Sequence, residues 1–154
     1  MDPAMQVPMA ARWTISQAIE RDLPEVLALL QQCGLPEAGL GRYLATTVVA
    51  RAHGRIIGSA ALELYGPAAL LRSVAVAPEW RSRGLGRRLV QAALDLAQQR
   101  GVARVYLLTE TAASYFQRFG FRIIPRAAVE PEVQASEEFT HACCVVARAM
   151  LRVL

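Results

Sequence analysis

LLRSVAVAPEWRSRGLGRRLVQAALDLAQQR, residues 70–100, is the stretch that decides how this chain is read. It opens as an apolar strand, breaks at Pro78, passes through a loop rich in arginine and glycine, and continues as a helix. In that helix Leu85, Leu89, Ala92, Ala93 and Leu96 share one face, and Arg88, Gln91, Asp95 and Gln98 share the other. A strand that delivers a Gly-rich, basic loop to a helix N-terminus gathers free N–H groups and the positive end of the helix dipole at one point. That arrangement suits an anion, phosphate above all.

The text on either side extends the pattern. Alternation over residues 13–18 predicts a first strand. Asp22-Leu23-Pro24-Glu25 predicts a helix start with Asp22 as its cap, and Gly34 with Pro36 predicts its end. Residues 35–42 read as a loop leading to a short helix around Tyr43. Strands over 47–51 and 56–65 flank a turn at 52–55, and Gly66-Pro67 turns the chain into the strand 70–76. With a four-residue turn at 66–69, Tyr65 pairs with Leu70 and Glu63 lies directly opposite Arg72. After the helix, Gly101 leads to a strand over 102–109, reached by a helical crossover and therefore parallel to 70–76. Thr111 is expected to cap a short helix that Gly120 ends. Residues 121–124 form a strand, 125–141 a long loop with one helical turn, and 142–151 the last strand. The expected fold class is α/β, a mostly antiparallel mixed sheet with one central parallel pair and helices on both faces.

The 154 residues suit one domain, over 11–154, behind a flexible leader at 1–10. The net charge is +4, and all 17 basic residues are arginine. With no lysine, Schiff-base chemistry and a Walker-type phosphate loop are both excluded. Arg81, Arg83, Arg87 and Arg88 crowd one loop, while Glu130, Glu132, Glu137 and Glu138 lie in a later acidic segment. This local asymmetry argues for an anion site and against a nucleic-acid footprint. No apolar run approaches the ~20 residues of a membrane span, and the N-terminus lacks a secretion signal, so a cytoplasmic location is expected. Cys33, Cys143 and Cys144 make no disulfide framework. Neighbours on a predicted strand point to opposite faces, so Cys143 and Cys144 are read as reduced and buried, and no metal site is expected. Neither His53 nor His141 has ligand-like company.

The loop Arg81-Ser82-Arg83-Gly84-Leu85-Gly86 has the form Arg-x-x-Gly-x-Gly. Glycines let backbone amides approach an oxyanion closely. A dinucleotide fingerprint fails here, because it needs glycine or alanine at Leu89 and a tight turn where six residues separate Val76 from Arg83.

Read whole, residues 74–86, VAVAPEWRSRGLG, resemble the acetyl-CoA signature of the GNAT N-acetyltransferase superfamily. Residues 115–121, YFQRFGF, resemble its second landmark, an aromatic-rich helix ending in Gly-Phe. The resemblance implies acetyl-CoA as cosubstrate, with Val74, Ala75, Val76, Arg81, Ser82, Arg83, Gly84, Leu85, Gly86 and Arg87 as donor-binding residues. The amides of Arg83, Gly84, Gly86 and Arg87 would hold the pyrophosphate, the backbone of Val74 and Val76 the pantetheine arm. The thioester would sit where two strands splay apart, beside Val74 and Leu107. LELYG (62–66), LLRS (70–73), LLTETA (107–112) and VQASEEF (133–139) resemble a narrower subgroup. It contains the acetyltransferase part of N-acetylglutamate synthases and the small acetyltransferases of arsenic-resistance operons. It implies a small amine as acceptor, amino-acid-like or arsenic-containing, with Tyr65, Arg72 and Ser73 on the acceptor side.

Acyl transfer from a thioester to an amine needs a deprotonated amine, a polarised carbonyl and a proton for the leaving thiolate. Glu63 and Glu110 are the candidate bases. Glu63 has two readings: a cross-strand ion pair with Arg72, or a proton relay beside an Arg72 that grips a substrate carboxylate. Tyr115 is the candidate acid, although the superfamily's usual tyrosine position is held here by Phe116, one residue and ~100° further round the helix. A module that holds acetyl-CoA as a sensor, without turnover, is the alternative. A homodimer through a C-terminal edge strand is a further expectation.

Overall fold

The computed structural model describes residues 12–140 and 146–154. Seven strands form one sheet in the order β1-β2-β3-β4-β5-β7-β6, with β1 Thr14–Gln17, β2 Thr47–Ala52, β3 Arg55–Tyr65, β4 Ala68–Val76, β5 Arg104–Thr109, β6 Arg122–Ile124 and β7 Arg148–Val153. All neighbours are antiparallel except β4 and β5, which run parallel across the crossover helix. The helices are α1 Leu23–Gln32, α2 Leu85–Gln99, α3 Ala113–Gln117, α4 Pro131–Gln134 and α5 Glu137–Thr140. The mixed α/β class and the parallel pair are as the sequence predicts.

Both faces of the sheet are buried. Leu71 belongs to the main core with Leu62, Leu85, Leu89 and Leu107, whereas its neighbour Leu70 joins Tyr106, Ile124, Val133 and Leu151 in a second cluster. Alternate residues of a strand point to opposite faces, so one run of leucines serves both layers. Gly58 lets α2 lie close: a Cβ there would stand 2.6 Å from Leu89 Cδ1 and 3.2 Å from the Ala75 carbonyl.

Several local expectations are corrected. Asp22 does not cap α1. It closes a 3-10 turn at Glu20–Asp22 by accepting the Ile19 N–H at 2.8 Å, and it pairs with Arg51 (Nη1–Oδ1 3.0 Å). Thr109, not Thr111, supports the start of α3, accepting the Ala112 N–H at 2.9 Å. The β3–β4 turn is two residues long, so Tyr65 pairs with Ala68, Glu63 with Leu70, and Ala61 with Arg72. Residues 125–140 hold a 3-10 turn at Arg126–Ala128 besides α4 and α5, more helix than expected: Pro125 precedes the 3-10 turn and Pro131 is the first residue of α4. The last strand begins at Arg148 and lies between β5 and β6, so it is not a sheet edge open to a second copy. The edges are β1 and β6. The leader, His141, Cys143 and Cys144 lie outside the described residues. No helix among the described residues is long and apolar enough to cross a membrane.

Candidate active site

The site begins where two neighbouring strands part. Pairing between β4 and β5 runs from Ala68–Arg104 to Leu71–Leu107 and then stops, although β4 continues to Val76 and β5 to Thr109. The cause lies on the other side of β4. Ala75 pairs with Ser59 and Arg72 with Ala61, so Ser73 and Val74 together face the single residue Ala60. This is a β-bulge, which bends its strand and sharpens the twist. Ser73 stands at φ +56°, and its carbonyl accepts the Ser59 hydroxyl at 2.7 Å. A non-glycine residue in that region costs about 1–3 kcal/mol and persists where surrounding structure over-determines it.

The opening holds a cavity of about 370 Å³. Val74 and Leu107 line it, with Ser73, Arg72, Thr109, Phe116 and Cys33. Glu110 and Glu138 bring carboxylates to the same lining. At the far end of β4 the loop 81–84 leads into α2, whose first backbone bond runs from the Arg88 N–H to the Gly84 carbonyl at 3.2 Å. The N–H groups of Leu85, Gly86 and Arg87 precede that bond and point from the helix end. Gly84 has φ +82°, and a Cβ there would meet nothing within 4 Å, so the backbone is open to a ligand. Arg87, Tyr115, Arg118 and Arg152 border an adjoining groove of about 620 Å³.

Arg72 is a hub of buried polar contacts beside this cavity. Its side chain is wholly buried, and it donates from Nη1 to Glu63 Oε2 (2.8 Å) and the Ala38 carbonyl (2.8 Å), from Nη2 to the Pro36 carbonyl (3.4 Å), and from Nε to Ser73 Oγ (3.1 Å). Glu138 Oε1 lies 4.0 Å from Nε. Arg72 therefore ties β3, the bulge, the α1–β2 loop and α5 together. The two-residue register shift keeps Glu63 and Arg72 on one face, and a diagonal pair of long side chains still meets. Glu63 also accepts the Tyr65 hydroxyl, and it borders a separate cavity of about 150 Å³ with Tyr43, Tyr65 and Ser136. Burial, and then the hydrogen bond to Glu63, push the Tyr65 phenol well above the ordinary tyrosine range. Gly39, at φ +79°, lets the α1–β2 loop approach: a Cβ there would stand 3.1 Å from Glu137 Oε2 and 3.6 Å from Arg72 Nη1. Arg42 and Glu137 close the same contact at the surface.

Phe116 lines the 370 Å³ cavity, whereas Tyr115 borders the 620 Å³ groove. Its hydroxyl would be 2.7 Å from a Cβ on Gly86. Burial raises the Tyr115 phenol, against the opposing pull of Arg118 and Arg87. The Val76 carbonyl accepts Arg81 Nε at 3.0 Å and the Cys33 thiol at 3.6 Å. Cys33 and the carbonyls of Pro36 and Ala38 were not among the expected site residues; nothing in a local pattern marks a backbone carbonyl as an arginine's partner.

A strand edge freed by a bulge thus lies beside a glycine loop at a helix head, an arrangement able to take an extended polar arm and an anion. Residues 43–123 match the family described as the acetyltransferase (GNAT) domain, and the chain belongs to that family. It is 37% identical over 79 residues to the uncharacterized N-acetyltransferase CT2212 of Chlorobaculum tepidum, covering 51% of this chain and 50% of that one. It is 30% identical over 131 residues to the amino-acid acetyltransferase of Pasteurella multocida, covering 77% of this chain and 29% of the relative. The chain thus spans half or less of these relatives' lengths. N-acetylglutamate synthase from Neisseria gonorrhoeae, solved with coenzyme A and N-acetyl-glutamate, has the same fold, with a TM-score of 0.79 at 21% identity over 93% of this chain and 35% of that one.

Proposed function

We propose that the protein is an acetyl-CoA-dependent N-acetyltransferase of a small amine, amino-acid-like or arsenic-containing amines being the favoured acceptors. The parting of β4 and β5 beyond Leu71 and Leu107, opening towards the loop before α2, carries the reading. The residues fit the donor: the freed edge of β4 accommodates an extended amide-bearing arm, and the exposed, open Gly84 with the head of α2 accommodates a pyrophosphate. Acetyl-CoA would supply the acetyl thioester. The amino-acid acetyltransferases among the relatives support a small acceptor, as does the size of the cavity.

In this proposal Val74 and its neighbours on β4 present backbone N–H groups to the thioester carbonyl, and the walls of Leu107 and Phe116 exclude water. Glu138 and Glu110, which line the cavity, meet the acceptor's ammonium and take its proton. Glu63 is one of the two bases expected from sequence, but both its oxygens are engaged by Tyr65 and Arg72, so here it acts on the amine through Arg72 as a positioning residue. Tyr115 serves the donor side beside Gly86 and Arg87, leaving the departing thiolate to take its proton from solvent. Arg72 keeps a role at the acceptor by holding the loop that borders it.

The test is thiol release from acetyl-CoA against a panel of amino acids, arsenic-containing amines, aminoglycosides and peptides. Turnover with a small amine supports the proposal, and binding of acetyl-CoA without thiol release would make the protein a sensor. Glu138→Gln should lower kcat by about 10²-fold or more, whereas Tyr115→Phe should not. A loss of that size in Tyr115→Phe would return the acid role to Tyr115.

A further inference from the structure

The loop before α2 is exposed at Arg81, Ser82, Arg83 and Gly84, and two of these residues sit at positive φ, Ser82 at +64° and Gly84 at +82°. A serine in that region costs about 1–2 kcal/mol. An exposed segment holding such a residue keeps one conformation only where other contacts fix it. Arg81 supplies one fixing contact, to the Val76 carbonyl. Arg83 supplies another, its Cζ standing 5.0 Å from the centre of the Trp80 ring. Trp80 is itself buttressed from outside the site. Trp13, just before β1, meets it edge-on at 6.5 Å and 85°, and His53, in the β2–β3 turn at φ +53°, lies 6.3 Å away.

We infer that Trp80 is a positioning residue for the donor: by holding Arg83 it keeps the amides around Gly84 in their anion-binding arrangement. The inference rests on the proposed acetyl-CoA donor. A guanidinium over an indole is attracted by the ring's quadrupole, and tryptophan is the best such partner. An aliphatic side chain fills the space without that attraction. A loop ordered in advance also binds its anion without first losing the entropy of a mobile one. Trp80 thereby links the donor loop to β1 and the β2–β3 turn, neither of which borders the cleft. The chain has two tryptophans, both in this cluster, so its intrinsic emission reports on the loop directly.

The experiment is calorimetric titration of coenzyme A into the parent protein, Trp80→Leu, Trp80→Phe, Arg83→Leu and the Trp80→Leu/Arg83→Leu double variant. Emission is followed in Trp13→Phe, where Trp80 is the sole tryptophan. Trp80→Leu should weaken binding about tenfold, with Trp80→Phe recovering most of the loss. The double variant should be no weaker than Arg83→Leu alone, because the two residues act through one contact. Coenzyme A should change the emission of Trp13→Phe, and in turnover the rise in KM should fall on acetyl-CoA and not on the amine. Arg83 is exposed, so Arg83→Leu reads the contact even if Trp80→Leu folds poorly. Parent-like binding by Trp80→Leu, or additive losses in the double variant, would overturn the inference while leaving the donor intact. Failure of the parent protein itself to bind coenzyme A would overturn the donor reading, and this inference with it.

Discussion

At the scale of the residue, the Arg72–Glu63 pair shows how a buried charge is made tolerable. Arg72 has a partner at each of its three nitrogens, and Glu63 has one at each oxygen. Removing one member leaves the other charged and buried, a change that typically costs about 3–5 kcal/mol. Arg72→Met should therefore lower the urea midpoint sharply, and adding Glu63→Leu should recover part of the loss. Recovery stays incomplete because the Pro36 and Ala38 carbonyls still lack their donor. A second residue, Asp22, makes stability depend on pH. The hydrogen bond from Arg51 holds its carboxyl below the usual aspartate range, outweighing the opposing effect of burial. Its folded value lies below its unfolded one, so the stabilisation is complete above the ordinary aspartate range. It is lost as pH falls below about 4 and through the folded value. Melting curves at pH 7 and pH 3 should show a larger acid loss in the parent than in Asp22→Asn.

At the scale of the element, the contacts of α2 are set by two glycines. Gly58 on β3 receives Leu89, and Gly58→Ala should push α2 outward, costing about 1–3 kcal/mol in chemical unfolding. Gly86 in the first turn of α2 receives the Tyr115 hydroxyl. A Cβ at Gly86 would be 2.7 Å from that oxygen but 3.7 Å from the carbon bearing it. Gly86→Ala should thus lower both stability and coenzyme A affinity, and Tyr115→Phe in the same chain should restore them. Unrelieved loss in the double variant would show that the helix head, not the hydroxyl, cannot accept the methyl group. The ends of α2 and most strands were legible because apolar periodicity and glycine or proline breaks agree there. The β3–β4 register was not: a two-residue and a four-residue turn leave the same residues on the same face. Only the tight Gly66-Pro67 turn chooses between them.

At the scale of the whole molecule, the proposed acetyl-CoA site would link ligand binding to folding. Acetyl-CoA at a hundred times its Kd should stabilise the folded state by about 2.7 kcal/mol, raising the melting temperature by roughly 5–10 °C. A melting temperature unmoved by millimolar acetyl-CoA would count against the proposed function. Sheet order also redirects the search for self-association, since β1 and β6 are the edges and β7 has strands on both sides.

The sequence by itself determined the class of fold, the crossover that makes β4 and β5 parallel, and the glycine loop that leads into α2. These follow from short-range rules of periodicity, turn chemistry and helix-end electrostatics. The tertiary structure alone revealed the bulge beside the point where β4 and β5 part, because Ser73 and Val74 are bulged only against Ala60 on another strand. It alone decided that Phe116 lines the cleft while Tyr115 reaches Gly86, a matter of how α3 is set against β5 and α2. The partners of Arg72 belong to the same category. Three of them come from residues 34 to 66 positions away, and no local pattern encodes contacts made through space.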